Sequence, residues 1–528
     1  MVHSWFRSIT GIIIALVISA LMIAMFVAIA GVAGPDIGAP SPESPDIAHL
    51  VRMSLIQAGL STLLSLAGGL GIAWALNRLD FYGRGLIVSL FAAAIVAPGL
   101  VVAFGLIAVW GRSGWISELF SLFGMDWKLN IFGLGGILFA HTILNGAFAA
   151  RILLARLDAI ATTKLKIGQS LALGPFQRFF YLDWPAVSST LGGLGAIIFL
   201  LAFTSFPIVL LLGGGPANQT LEVAIYAAVR LDFNLNAAVQ LSIVQLLLTG
   251  FFILPALFAT PSLTGAGSAK KQSWSDGTLA RMVQIFVLIL GVLAFGLPLL
   301  AVLVDGLGPS VLSTLASFYF WRAAATSLFI GSLSAVVTLV FAIALAIART
   351  GVANPLLRAI LGLPVFAYLV IPGVVLSLGF FLLARNLSLS GAWVAPSVLI
   401  LANALLALPF AFSSLAPSIS AIDKRYDRLC RALDLDMIAR WRLVEWPLLG
   451  REIGIVLALG FGFSLGDLAV ISLFGTNSFT TLPWAMYQAL GAYRSNIAAS
   501  IGAIMLLLSM VMFWLLPRLF MRWCDADN

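Results

Sequence analysis

Long apolar runs alternate with short polar stretches from one end of the chain to the other. Runs at about 9–32, 51–76, 86–110, 132–155, 186–212, 236–260, 282–304, 322–348, 359–384, 394–416, 452–474 and 497–517 each approach or exceed the length a helix needs to cross a bilayer. Backbone groups in hydrocarbon must be satisfied within the segment, so the pattern predicts an all-α polytopic membrane protein of about twelve transmembrane helices. The first run ends in Ala28-Ile29-Ala30, which has the look of a cleavage site. It is longer than the apolar core of a signal peptide and is expected to remain as a span.

The polar stretches orient these spans. Gly34–Ile47 holds Asp36, Glu43 and Asp46 but no Lys or Arg, and is expected outside. Pro261–Arg281 is small, polar and basic, and reads as a cytoplasmic linker between a first half (1–260) and a second half (282–528) of six spans each. With both termini inside, 22 of the 29 Lys and Arg fall on inside segments. The other seven are Arg52, Arg112, Lys128, Arg230, Arg322, Arg385 and Arg494. This is the bias of the positive-inside rule, and it supports that orientation.

Composition agrees. Charged residues are 9% of the chain against 61% hydrophobic, where soluble domains carry about a quarter charged. The net charge of +8 follows from topology, with no call for nucleic acid as a partner. Cys430 and Cys524 lie in or beside inside segments, where a structural disulfide is not expected.

The two halves repeat. Leu157–Pro185 (LDAIATTKLKIGQSLALGPFQRFFYLDWP) aligns with Ile419–Pro447 (ISAIDKRYDRLCRALDLDMIARWRLVEWP) at an offset of 262 residues. IVAPGLVVAFGL (95–106) parallels LVIPGVVLSLGF (369–380), setting Pro98-Gly99 opposite Pro372-Gly373. TLEVAIY (220–226) parallels TLPWAMY (481–487), and His141 parallels Asn403. Equal span counts between matched segments give both halves one orientation, hence a parallel repeat about a pseudo-two-fold axis along the membrane normal. In such an arrangement the transported molecule belongs at the interface of the halves.

No engine is visible. None of the six lysines follows a glycine, so no P-loop can cradle a nucleotide. His3, His49 and His141 are too dispersed for a metal site, and no catalytic triad is apparent. The chain is expected to bind no cofactor and to catalyse no reaction, so uphill transport needs an ion gradient or a separate ATPase.

The matched loops favour the ATPase. Each breaks near Pro175 or Asp434–Met437 and resumes as a short amphipathic helix, PFQRFFYLDWP or MIARWRLVEWP. Phe176, Phe179, Phe180, Ile438 and Trp441 supply apolar faces, with Arg178, Arg440 and Arg442 expected at the rim. Trp184-Pro185 and Trp446-Pro447 are expected to start the following spans. Aromatics rimmed by arginine suit insertion into a groove on another protein. A helix lying on lipid headgroups is the alternative, but duplication in a parallel repeat favours a symmetric partner.

These loops resemble the EAA loop of binding-protein-dependent ABC importer permeases, whose pattern is Glu-Ala-Ala, three residues, Gly, nine residues, Ile, one residue, Leu-Pro. Leu182 and Val444 take the Ile position, and the Trp-Pro pairs take Leu-Pro. Lys166 and Arg428 stand at the Glu position, and Ala172 and Asp434 at the Gly position. Asp visits the left-handed conformation more easily than Ala. GRSGW (111–115), LGGGP (212–216), TLEVAIY, SLGD (464–467), LFG (473–475), TLP (481–483) and ALGAYRS (489–495) extend the resemblance to the fused twelve-helix thiamine-type permeases; fused ferric iron permeases share the architecture. The resemblance implies two copies of a cytoplasmic ABC ATPase holding ATP and Mg, a periplasmic substrate-binding protein, and a small-molecule substrate. A gradient-driven six-plus-six transporter is the rival, on the strength of NRLDFYGRG (77–85). A non-transporting receptor is a third reading.

Several residues are candidates for the substrate path. Asp467 is the single carboxylate expected deep in a span, and intramembrane charge is costly enough to suggest function. It could face the fixed positive charge of thiamine or cap an unwound turn beside Gly466. Its counterpart is Ser205. His141, Asn145 and Asn403 are expected mainly to bond neighbouring helices. Pro98 and Pro372 are expected to kink spans beside the path. Gly213–Asn236 and Gly475–Asn496 are paired outer loops, expected to meet a delivery protein or to close an outer gate.

Overall fold

A computed structural model describes residues 2–32, 46–92, 97–125, 128–258, 274, 276–352, 354–476 and 478–526. The outer loop expected at 34–47 lies almost wholly outside the described residues, as does most of the 261–281 linker with Lys270 and Lys271. The side chains of His3, Arg7 and Cys524 do too.

The described chain is helical and contains no strand. The first half runs through α1 (Val2–Val32), α2 (Ile47–Arg78), α3 (Arg84–Ala92), α4 (Gly99–Trp110), α5 (Trp115–Leu122), α6 (Leu134–Asp158), α7 (Thr162–Ser170), α8 (Pro175–Arg178), α9 (Trp184–Phe203), α10 (Phe206–Leu212), α11 (Leu221–Arg230) and α12 (Leu235–Phe258). The second runs through α13 (Thr278–Gly306), α14 (Ser310–Ala316), α15 (Phe318–Gly351), α16 (Pro355–Val370), α17 (Gly373–Asn386), α18 (Val394–Ala432), α19 (Met437–Arg440), α20 (Trp446–Gly466), α21 (Ala469–Phe474), α22 (Leu482–Gly491) and α23 (Ser495–Ala526). Eleven stretches among the described residues are long and apolar enough to cross a membrane, or twelve when α16 and α17 count as one broken span.

Packing repeats as the sequence does. α2 lies against α6 and α9, and α15 lies against α18 and α20. Lipid is as apolar as leucine, so helices associate through close packing and polar contacts. A Cβ on Gly69 would come within 2.5 Å of the Ala149 methyl, and one on Gly460 within 2.8 Å of the Ala335 Cα. Ser54 Oγ accepts the Leu221 N–H at 3.0 Å and Ser327 Oγ accepts the Leu482 N–H at 2.7 Å, pinning α11 to α2 and α22 to α15. Leu16, Val27, Leu63, Leu290 and Val340 are exposed apolar side chains of the outer belt.

The first helix of each half crosses to the other. α1 packs on α15, α16 and α17, burying Ile18, Met25 and Ile29, while α13 packs on α2 and α4 as well as on α23. Gly379 admits Met25, and Gly105 admits the Pro298 carbonyl, at matching places.

Two expectations are corrected by backbone chemistry. The spans expected at 86–110 and 359–384 are interrupted at Pro-Gly. α16 and α17 meet at 103°. Ile371 is extended (φ −85°, ψ 112°), and Pro372 and Pro98 precede new helices. The residue before proline avoids helical dihedrals, so Pro98 and Pro372 break the path of the chain where kinks were expected. The spans expected at 186–212 and 452–474 are also divided, at Thr204-Ser205 and at Asp467-Leu468. Each of the paired outer stretches contains a largely buried helix, α11 or α22.

Candidate functional site

The matched loops 157–185 and 419–447 share one turn. Leu173 N–H donates to Gly168 O at 3.2 Å and Ala172 N–H to Gln169 O at 3.1 Å; Leu435 N–H donates to Cys430 O at 3.0 Å and Asp434 N–H to Arg431 O at 3.2 Å. This is the Schellman termination, with Ala172 at φ 50° and Asp434 at φ 46°. The turn that the resemblance assigns to glycine therefore forms without it. A left-handed Ala costs about 1 kcal/mol relative to Gly, so Ala172→Gly should stabilise the chain by about that amount, read as a higher midpoint of thermal unfolding in detergent.

The helix that follows is capped differently in each loop. Asp436 Oδ1 accepts the Ala439 N–H at 2.6 Å, and Gln177 Oε1 accepts the Gly174 N–H at 3.1 Å. Each short helix then runs into the next span through a π-turn, Phe179–Asp183 or Trp441–Glu445. Trp184 N–H reaches back to Phe179 O and Trp446 N–H to Trp441 O. A proline lacks a donor and clashes with the carbonyl four residues back; the wider turn accommodates Pro185 and Pro447. Each short helix thus runs on into its span, and Trp184-Pro185 and Trp446-Pro447 are the first residues of α9 and α20, as expected.

The exposed faces are apolar. Phe176 and Phe180 stack at 6.5 Å and project outward with Tyr181; Met437, Ile438 and Leu443 do so on the other loop, beside exposed Arg442. Phe179 and Trp441 are half-buried and pack on Trp184 (6.4 Å) and Trp446 (5.9 Å), and Trp446 packs on Phe520. The expected rim position of Arg178 and Arg440 is corrected: they are 4% and 8% exposed. Arg440 pairs with Asp423 at 2.6 Å, Asp427 at 2.8 Å and Glu445 at 3.0 Å. Arg178 pairs with Asp276 at 3.2 Å, donates to Trp274 O at 3.2 Å and lies 4.1 Å from the Trp274 ring centre. A buried guanidinium needs partners for its fork of donors, and the partners named for both arginines lie within the chain. Cys430 is a buried free thiol in the second loop.

Within the membrane region, Asp467, Asn403, Ser327, Ser464 and Thr481 line one small cavity with Ile330, Leu399 and Ile471. Asp467 Oδ1 accepts the Val470 N–H at 3.0 Å, capping α21, and Asn403 donates to Ser464 Oγ at 3.0 Å. Asp467 Oδ2, Asn403 Oδ1 and Thr481 Oγ1 are buried without a protein partner. Glu222 on α11 carries a fourth such oxygen, Oε2; its Oε1 accepts from Gln245 at 3.3 Å, and the charge of Asp467 reaches it. The two carboxylates come from opposite halves. The matching tyrosines Tyr226 and Tyr487 also approach each other, and Arg230 donates to Gly475 O at 2.7 Å across the same interface.

The remaining candidates separate. Pro98 lies against Gly466, beside Asp467 but from the other half, whereas Gly373, next to Pro372, packs on Ala469 within its own half. His141 sits between α2 and α6, its Nδ1 2.7 Å from Gln57 Nε2 and 3.0 Å from Ser61 Oγ. It is a bond between helices and does not line the cavity. Ser205 marks the α9–α10 break and is not among the cavity's lining residues. Glu222 escaped the sequence reading because its stretch reads as an outer loop; the amphipathic spacing of Leu221, Ile225 and Ala228 was the available signal.

No family model matches the chain. It is 35% identical to the thiamine transport system permease protein ThiP of Brucella melitensis over 474 residues, 89% of this chain and 87% of that one. It is 34% identical to the ThiP of Escherichia coli K12 over 477 residues, 89% of each. The molybdenum transport system permease protein ModB of Azotobacter vinelandii is 28% identical over 212 residues, 40% of this chain and 92% of that one.

Proposed function

The chain belongs to the binding-protein-dependent ABC importer permeases, among the thiamine transport system permease proteins, and on that premise we propose that it forms the membrane path for thiamine and its phosphates. The reading extends to two copies of a cytoplasmic ATPase and a periplasmic substrate-binding protein, with both termini of the chain in the cytoplasm of a bacterium. The observation that supports it is the pair of equivalent helices on which Phe176 with Phe180, and Ile438 with Leu443, stand exposed. ATP and Mg sit on the ATPase; this chain binds neither and performs no chemistry.

The mechanism follows from the continuity of each docking helix with its span. Closure of the paired ATPases on ATP draws the two docking helices together. α9 and α20 carry that displacement to the breaks at Ser205 and Asp467, and the halves rock about the pseudo-two-fold axis. The path opens outward to take substrate from the binding protein, and hydrolysis resets it. Asp467 Oδ2 and Glu222 Oε2, buried without a protein hydrogen-bond partner, offer acceptor oxygens to the fixed positive charge of the thiazolium ring.

Uptake into vesicles holding the full complex tests the substrate. Labelled thiamine should accumulate and ferric iron should neither accumulate nor compete. Asp467→Asn should lower thiamine uptake about tenfold, equivalent to ~1.4 kcal/mol, with ATPase assembly unchanged. Iron accumulation without thiamine uptake would transfer the assignment to the ferric iron permeases.

A further inference from the structure

The buried arginines of the two docking loops draw their counter-charges from different parts of the chain. Arg440 takes Asp423, Asp427 and Glu445 from its own loop. At the 262-residue offset, the positions matching Asp423 and Asp427 are Ala161 and Leu165, which carry no charge. Asp183 matches Glu445 but is paired with Arg78. The carboxylate for Arg178 comes from 98 residues further on, from Asp276, just ahead of α13. Asp276 also meets Arg78 at 3.4 Å and accepts from Gln284 of α13 at 2.8 Å. Trp274 adds its carbonyl and its ring to Arg178. That ring rests on Gly168, where a Cβ would come within 2.9 Å of it.

We propose that Trp274 and Asp276 are positioning residues that clamp the first docking helix to α13. The proposal rests on the reading of Pro175–Asp183 as an ATPase-docking helix. α13 packs on α2, α4 and α23, so it touches both halves. A displacement imposed on the first docking helix therefore reaches α13 through Asp276 as well as α9 through the chain. Among the described residues, the carboxylates paired with Arg440 of the second docking helix all lie within its own loop.

Amide hydrogen exchange on the full chain, without ATPase, isolates the clamp. Trp274→Ala and Asp276→Asn should speed exchange across 176–183 about tenfold and leave 438–445 at the wild-type rate. In the reconstituted complex, substrate moved per ATP hydrolysed should fall about tenfold, and Trp274→Phe should recover most of the loss. Asp276→Asn strips charge from a site holding two buried arginines; if that variant fails to accumulate, Trp274→Ala, which unpairs no charge, carries the test alone. Wild-type exchange across 176–183 in Trp274→Ala overturns the clamp. So does an equal rise in both loops. Because exchange is read without ATPase, failure of the chain to bind an ATPase sinks the docking reading separately.

Discussion

Replacing Arg440 by alanine should lower the stability of the chain by about 3 kcal/mol. Its guanidinium pairs with three carboxylates, and removing it takes from Glu445, 5% exposed at the side chain, the cation that faces its buried charge. The estimate sits at the low end for a broken buried pair because Asp423 and Asp427 are 29% and 24% exposed and can rehydrate. Lysine should recover only part of the loss, since a point charge on a flexible stem cannot serve three acceptors as a planar fork does. The check is the unfolding midpoint in detergent with the variant fully inserted. An unchanged midpoint in Arg440→Ala would remove the ion cluster as the anchor of the second docking helix.

The second large effect is on assembly. Phe176 and Ile438 are 79% and 68% exposed, so little of either side chain packs within the chain. Truncating a central apolar anchor of an interface typically costs about 2 kcal/mol. The double change Phe176→Ala with Ile438→Ala should therefore weaken ATPase binding by roughly a hundredfold or more, while the unfolding midpoint stays put. Arg442→Ala, at an exposed rim, should change binding only slightly. Titration of purified ATPase onto the chain in nanodiscs measures both. Wild-type affinity in the double variant would mean that these faces lie on lipid headgroups.

Arg178 and Arg440 show where sequence reasoning ended. The loops, their spacing and their Trp-Pro endings were legible because a repeat in sequence is a repeat in structure. The direction of the arginines was not, because an amphipathic helix with an arginine reads the same whether its carboxylate belongs to a partner or to Asp276, 98 residues away. The breaks at Ser205 and Asp467 were hidden for a related reason: apolar runs report the length of a segment and leave its continuity open. Pro98 and Pro372 marked breaks plainly enough, but a proline alone does not distinguish a kink from a 103° corner. The exchange of α1 and α13 between halves has no signature in hydropathy, since lipid-facing and helix-facing leucines are chemically alike. Gly105 and Gly379, matched across the repeat, lie where the exchanged helices α13 and α1 pack on α4 and α17. At Ala172 and Asp434 the turn forms with left-handed non-glycine residues. Asp434 suits that conformation better than Ala172 does.

The central claim is that this chain is a path whose motor lies outside it. The direct measurement is uptake of labelled thiamine into proteoliposomes holding the chain and the binding protein, with and without the ATPase, under ATP and under an imposed proton or sodium gradient. The account predicts uptake only when ATPase and ATP are both present, with no response to either gradient. Accumulation driven by a gradient in vesicles lacking the ATPase would contradict it.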